Sequence, residues 1–586
     1  MATTITAADI LIEDIMDWGV DTIFGLPGDG INGIVEALRK RRDQVRFIQV
    51  RHEEAAAFMA TAYAKYTGRL GCCLATSGPG AIHLLNGLYD AKMDGAPVLA
   101  LTGMTYHDLV GTRYQQDVNT QALFSDVAAF NERVMGPDHV NNLSHLACRS
   151  ALSNRTVSHI TFPTDIQEMS FDGMRSKANP PMHTAAAYQP VKRPARGDAL
   201  QRAADILNRG KKIVMLVGQG ALAASDEVEQ LASKMESPVV TALLGLAVLP
   251  SDSPYRTGPL GLIGTLPSEK AMEECDTLLI VGSSFPYMNF LPKPGQARAV
   301  QIDIDPSRIG LRYPVEIGLV GDAKLTLQHL IPLIHQHKDR SFLETAQKRM
   351  QQWNELMDDR GYRSETPIKP QMIARMVSDM AEPNAIISSD SGTCATWIAR
   401  QLHVKRGQMF SLAGNLATMA SGLPYSIAAK LAYPDRQSIA FVGDGAFTML
   451  MGEMATAVKY KLPITVVILK NNTLGQIKWE QMVFLGNPEY GVELQPIDFA
   501  RYAESVGAVG LTVENPNELQ PALQRAMASA QPAVVQVLCD PYEPPMPAQV
   551  KPEQAEHFAE SLVRGEPNRE RIAVTAFRDK VYELSH

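Results

Sequence analysis

The stretch Ser438-Ile439-Ala440-Phe441-Val442-Gly443-Asp444-Gly445-Ala446, followed 27 positions after the aspartate by Asn471-Asn472, decides the fold. Ser438 to Val442 reads as a short buried strand that ends in a glycine turn. Phe447 to Tyr460 has helical period, and Ile464 to Leu469 is a second strand rich in β-branched residues. A strand-helix-strand crossover returns parallel and right-handed, so Asp444 and Asn471 are expected at the carboxyl ends of two strands. Neighbouring strands would sit about 5 Å apart. Two hard oxygen ligands beside a glycine turn at a helix start suit one cation and one phosphorylated ligand. A plain strand-helix turn with a capping aspartate is the simpler reading of Gly443-Asp444-Gly445 alone; the spacing to Asn471 makes the pattern more specific.

Outward from this unit, the bulk numbers exclude several classes. A chain of 586 residues holds several domains, since single cores rarely exceed about 250–300 residues. It is 45% apolar and 20% charged with a formal net charge of −8. That balance argues against nucleic acid as a partner, because binding a phosphate backbone needs a basic surface. No apolar run approaches the roughly 20 residues that span a bilayer. The opening Met1-Ala2-Thr3-Thr4-Ile5 lacks the basic and apolar regions of a secretion signal. Six cysteines (72, 73, 148, 275, 394, 539) form neither a disulfide framework nor a zinc spacing. Cys72-Cys73, inside the strand-like Leu70–Thr76, read as small buried side chains, and the whole as a reduced, cytoplasmic protein.

Two stretches break the alternation of strands and helices. Gly173 to Gly197, with Pro180, Pro181, Pro190 and Pro194, reads as a linker. A charged helical segment from about Lys338 leads to Thr366-Pro367-Ile368-Lys369-Pro370. The expected fold class is therefore α/β, with three doubly wound parallel-sheet domains. Expected boundaries are 1–175, a linker at 176–197, 198–340, a linker helix region at 341–370, 371–545, and a tail at 546–586. The first and third blocks look like copies. Gly78-Pro79-Gly80-Ala81 leads a helix carrying Gly87, and Gly443-Asp444-Gly445-Ala446 leads one carrying Gly452. Pro79 stands where the third block has Asp444.

Family likeness enters through these motifs. Gly443-Asp444-Gly445 with Asn471-Asn472 resembles the metal motif of thiamine diphosphate enzymes. Arg51-His52-Glu53-Glu54-Ala55, Thr76–Gly80, His83–Ala91 and Pro97–Gly103 resemble the pyrimidine-binding domain of the pyruvate oxidase and acetolactate synthase superfamily. The likeness continues through all three blocks. It implies that Glu53 contacts the ring nitrogen of the aminopyrimidine, where a carboxyl favours the tautomer that acts as the cofactor's own base. Without it, a glutamate pair at a helix start is an ordinary helix-dipole arrangement. Gly80, His83 and Asn86 are placed with the same ring by resemblance.

The resemblance further implies Mg2+ ligation by Asp444, Asn471 and the carbonyl of Thr473. It places Gly392, Thr393, Gly443, Gly445 and Ala446 around the diphosphate and Met419 beneath the thiazolium. Ile477 and Glu480 fall on a helix facing substrate, as do Tyr114 and Gln115 in a loop. Here Tyr114 departs conservatively from the usual phenylalanine, and Gln116 stands where an acid is common. The middle block resembles the FAD domain of pyruvate oxidases at Gly218, Gly220, Ser283, Phe285, Pro286, Asp303, Asp305 and Asp322. A carboxylate at the end of a parallel strand can accept from a ribose or adenine group. One departure weighs against flavin: Leu243-Leu244 lie where relatives carry a basic residue.

The implied function is oxidative decarboxylation of pyruvate, a small 2-keto acid, to CO2 and acetyl phosphate or acetate. Electrons would pass through FAD to O2 or a quinone. A carboligase such as acetolactate synthase, or another 2-keto acid decarboxylase, is the alternative. Shared active sites in the superfamily imply a homo-oligomer, at least a dimer and most simply a dimer of dimers. In the tail, Ala573, Phe577, Val581 and Leu584 follow helical spacing. Acids and bases alternate there with no basic face, so docking on the protein's own surface is expected over peripheral membrane contact.

Overall fold

The computed structural model describes residues 5–171, 175–189, 192–195 and 197–585, except for the side chains of 578–585. Gly173 and Pro190 of the expected linker, and Val581 and Leu584 of the expected tail stripe, therefore fall outside the described residues or side chains.

Three six-stranded sheets, every strand pairing parallel, carry the molecule. In the first sheet the spatial order is Arg46–Gln49, Thr22–Gly25, Gly71–Ala75, Val98–Met104, Val157–Pro163, Ala128–Arg133. The third runs Met409–Ser411, Ile386–Ser389, Ser438–Gly443, Ile464–Lys470, Ala533–Leu538, Val509–Val513. Numbered within each block, both orders are 2-1-3-4-6-5. The duplication visible in the glycine offsets is thus a duplication of topology. The middle sheet runs Ile317–Val320, Arg298–Asp303, Thr277–Val281, Ile213–Val217, Val239–Thr241, Arg256–Pro259, the order of a dinucleotide-binding fold.

Local sequence accounts for these elements. The strands Ser438–Gly443 and Ile464–Lys470 are neighbours, with Gly443 opposite Leu469, so the expected crossover is present. The expected helix over 447–460 differs. It begins at Asp444 and is interrupted by a tight 3-10 turn at Met451–Glu453 before resuming over Met454–Lys459. The break coincides with an outside demand: the Tyr502 hydroxyl donates to the Met451 carbonyl at 2.7 Å. Buried Glu453 accepts from the backbone of Arg51 and His52.

First and third blocks share one continuous apolar core. The helix Glu53–Thr67 lies against Gly422–Ala432, and Phe58 and Tyr63 belong to the same cluster as Tyr425, Ile427 and Phe447. Alanines at 55, 56, 57, 60, 62 and 64 keep that helix thin enough for close packing. Gly87 is required on the neighbouring helix, since a Cβ there would meet Ala57 Cβ and Phe58 N at 2.6 Å. Each fully buried large side chain in such a core contributes about 1.5–3 kcal/mol.

A buried polar cluster threads this core. Lys65 donates to Asp90 (3.0 Å), Asp94 (2.5 Å), the Tyr425 hydroxyl (2.7 Å) and the Leu412 carbonyl (3.0 Å). The Tyr425 hydroxyl in turn donates to Asp90. Burial pushes the Asp90 carboxyl up to about 7, against the pull of Lys65. All six cysteines are free and buried, and burial pushes the Cys73 thiol far up, as expected for small core side chains.

The tail docks on the protein itself as far as it is described. Helix Pro552–Val563 packs on Gly475–Val483, and Phe558 and Ile572 join Trp479, Met482 and Val483 in one cluster. The expected stripe is corrected, however: Ile572 and Thr575 are buried while Phe577 is 72% exposed. Among the described residues no helix is long and apolar enough to cross a membrane.

Candidate active site

The carboxyl ends of the third sheet open into a cavity of about 470 Å³, within the range of small-molecule sites. Gly443, Asp444, Gly445, Ala446, Asn471 and Thr473 form one wall. Asp444 is 5% exposed, and its carboxylate accepts from the N–H of Gly445 (2.8 Å), Asn472 (2.6 Å) and Asn471 (3.0 Å). Burial pushes this carboxyl up and the three N–H groups pull it down. Three bonds on two oxygens leave acceptor capacity for a cation. Asn472 turns the chain with a φ of 55°, a conformation asparagine tolerates. Asn471 Oδ1 accepts from Thr473 N at 3.1 Å, and the Thr473 carbonyl accepts from Gly475 N at 2.9 Å.

This donor set fits Mg2+, which prefers hard oxygens. Two further observations fit a bound diphosphate. Thr473 Oγ1 is buried without a partner. A Cβ added at Gly392, where φ is +121°, or at Gly443 would meet nothing within 4 Å, so the wall is open where phosphate groups would lie. Gly392 caps the helix Thr393–Gln401, whose first N–H groups face an anion favourably.

Met419, Ile477 and Glu480 also line the cavity, with Glu480 accepting from Gln476 Nε2 at 3.1 Å. From the middle block come Gly218, Ser283, Phe285 and Pro286. The remaining middle-block candidates sit elsewhere. Asp305 caps the turn at Ser307 (2.9 Å) and Asp322 caps the helix at Leu325 (3.0 Å), so both carboxylates serve the backbone. Asp303 is buried and accepts from Asp305 N, and it does not line the cavity. Gly220 is a packing glycine, a Cβ there meeting Gly282 Cα at 2.8 Å.

Glu53, Gly80, His83 and Asn86 form a second cluster outside the cavity lining. Glu53 opens its helix and is 5% exposed, with Oε2 at 2.9 Å from His83 Nδ1. A Cβ on Gly80 would sit 3.1 Å from Glu53 Oε1, so glycine leaves room beside that carboxylate. The His52 and His83 rings stack at 4.5 Å. Asn86 donates to Glu54 Oε1 (2.6 Å) and to Thr418 Oγ1 (3.1 Å). Tyr114 is 47% exposed and Gln115 is exposed, on a loop that likewise does not line the cavity.

Several residues escaped the sequence reading. Arg308 lines the cavity, a basic group on the middle-block side where Leu243 and Leu244 offer none. Asp94 holds the cavity loop by accepting from Gly414 N (3.1 Å), Asn415 N (3.0 Å) and Asn415 Nδ2 (2.7 Å). The spacing of Asp90 and Asp94 on one helix face was a usable signal. Glu453 gave none.

Residues 5–123 match the thiamine pyrophosphate enzyme N-terminal TPP-binding domain, 200–330 the central domain, and 390–537 the C-terminal TPP-binding domain. The chain belongs to the thiamine pyrophosphate (diphosphate) enzymes. Within them it falls in the superfamily of pyruvate oxidase and acetolactate synthase. It is 43% identical to YdaP of Bacillus subtilis, named as a thiamine pyrophosphate-containing protein, over 95% of this chain and 96% of that one. Pyruvate oxidase of Lactiplantibacillus plantarum is 31% identical over 90% of this chain and 87% of its own. The acetolactate synthase large subunit of Haemophilus influenzae is 30% identical over 89% and 92%. As a member of this thiamine enzyme family, the chain is an enzyme that binds thiamine diphosphate.

Proposed function

We propose that this enzyme decarboxylates pyruvate oxidatively, using thiamine diphosphate, Mg2+ and FAD and passing electrons to O2 or a quinone. The observation that carries the reading is a single cavity walled both by the Asp444–Asn471 turn and by Gly218, Ser283, Phe285 and Pro286 of the dinucleotide-type middle sheet. A thiamine and a flavin bound there would be neighbours.

Asp444, Asn471 and the Thr473 carbonyl would hold Mg2+, and the helix start at Thr393 the diphosphate. When bound, thiamine diphosphate supplies a nucleophilic carbon and an electron sink for the departing CO2. Glu53 would hold the proton at the aminopyrimidine ring nitrogen, with His83 Nδ1 fixing its carboxylate. Leu412, Met419, Leu474 and Ile477 give the cavity apolar walls that exclude water. Glu480 would meet the substrate end. Domain limits at 175, 197, 340, 370 and 545 accompany this reading, as does a homo-oligomer. Glu53, Tyr114 and Gln115 do not line the Asp444 cavity of their own chain, so a second copy would bring them to it.

The test is a spectrum of the purified protein followed by anaerobic pyruvate. A bound yellow chromophore that bleaches supports oxidation; acetolactate formed without bleaching supports carboligation, the reading favoured by Leu243 and Leu244 in the cavity wall. Glu53→Gln should lower turnover by about 100-fold or more while leaving Mg2+-dependent cofactor binding within a few-fold. Unchanged turnover would remove Glu53 from the chemistry.

A further inference from the structure

A second cavity, of about 340 Å³, lies where the middle sheet, the helix Ser341–Tyr362 and the third block meet. No residue lines both it and the cofactor cavity. Arg256, on the edge strand Arg256–Pro259, forms part of its wall and is 8% exposed. Nη1 of Arg256 donates to Ser251 Oγ at 2.9 Å, and Nε has no partner. Among the described residues no carboxylate pairs with it, although burial alone pulls its pKa down only to about 10, so it remains charged at neutral pH.

Its neighbours differ. Arg406 is paired with Asp226 and Glu229. Lys405 donates to the carbonyls of Ala381 and Asp379, and Arg400 to those of Leu262, Gly264 and Met546. His403 faces Arg375, and burial holds its pKa low, so it is neutral. Asp252, the one acid in the wall, is exposed and makes no ion pair with Arg256.

A buried guanidinium without a counter-charge is costly unless something supplies one. We propose that this interdomain cavity is a binding site for a small oxyanionic metabolite, a phosphate or carboxylate whose charge meets Arg256. Guanidinium is the side chain best suited to planar oxyanion recognition, and Trp353 and Leu402 offer an apolar wall for a short carbon body. An occupant would touch the middle block, the connecting helix and the third block together.

The experiment uses full-length enzyme saturated with thiamine diphosphate and Mg2+, so the diphosphate site is filled. Calorimetric titrations with inorganic phosphate and, separately, acetate are run against sodium chloride of equal ionic strength. Expected is saturable binding of one anion per chain, weakened about tenfold or more in Arg256→Met. The two arms decide whether phosphate or carboxylate is preferred. Arg256→Met should melt no lower than the parent in chloride alone, because the charge removed was unpaired. Arg256→Lys keeps the charge without the planar fork and is expected to bind several-fold more weakly, covering the case in which the methionine variant does not fold. No saturable binding of either anion, or equal affinity in the parent and a folded Arg256 variant, overturns the proposal.

Discussion

The first and third blocks share a strand order and a glycine turn, yet put different chemistry on it. In the third block, Gly443 has a φ of −83° and opens onto empty space, and Asp444 gathers three backbone N–H groups. In the first, Gly78 takes a φ of +63°, Pro79 contributes neither a donor nor a side-chain ligand, and Gly80 leaves room for the Glu53 carboxylate. In the proposed reading, one copy would take a cation and a diphosphate and the other a neutral ring. The two turns differ in side chain and backbone while the strand order stays constant.

The sharpest way to break that contrast is Asp444→Ala. Removing the carboxylate would delete the proposed cation ligand and leave three N–H groups without their acceptor. Mg2+-dependent thiamine diphosphate affinity, measured by calorimetry, should fall by about 100-fold or more. The reciprocal Pro79→Asp should gain no cation affinity, since no asparagine pair faces that turn. Binding retained in the alanine variant would end the distinction.

Next in size is a pair at matched positions. Gly87→Ala places a Cβ at 2.6 Å from Ala57 Cβ and should cost about 1–3 kcal/mol in urea unfolding. Gly452→Ala, whose Cβ would meet nothing closer than Arg51 Cβ at 3.8 Å, should stay within about 0.5 kcal/mol. Equal costs would mean that the two helices pack alike after all.

The last test concerns the boundary between the copies. Asp90, faced by Lys65, Asp94 and Tyr425, has its pKa raised from 3.8 to about 7 by burial. The folded chain holds a proton that the unfolded chain has released between those values. Stability therefore declines as pH rises from about 4 to 7 through this group. Asp90→Asn should flatten that part of the stability-pH curve, and an unaltered slope would show that Asp90 does not titrate there.

Much of this was legible because local patterns carry local structure. The strand at 438–443, its partner at 464–470 and the place of Asp444 and Asn471 at their ends follow from apolar runs bounded by glycine and asparagine. The duplicated turn was readable from glycine offsets alone. The acids of the middle block carry a second role that the pattern did not reveal: Asp305 and Asp322 end strands as a ribose acceptor would, and a carboxylate two or three residues before a free N–H also caps it. The 3-10 break at Met451–Glu453 was hidden because the groups bonded there, Tyr502 and the Arg51-His52 backbone, are distant in sequence. Phe577 looked like a core residue because periodicity fixes a face without saying which face has a partner.

The Lys65 cluster has a consequence for how this chain could be divided. Its ammonium rests on two aspartates from one half and on the Tyr425 hydroxyl and Leu412 carbonyl from the other. A gene cut between the halves would yield two fragments that each expose half an apolar seam, and the first would present two adjacent anions with one cation to water. Such fragments should be insoluble when expressed separately and recover only when made together, which makes the enzyme a candidate for a split reporter whose reassembly is read by thiamine binding.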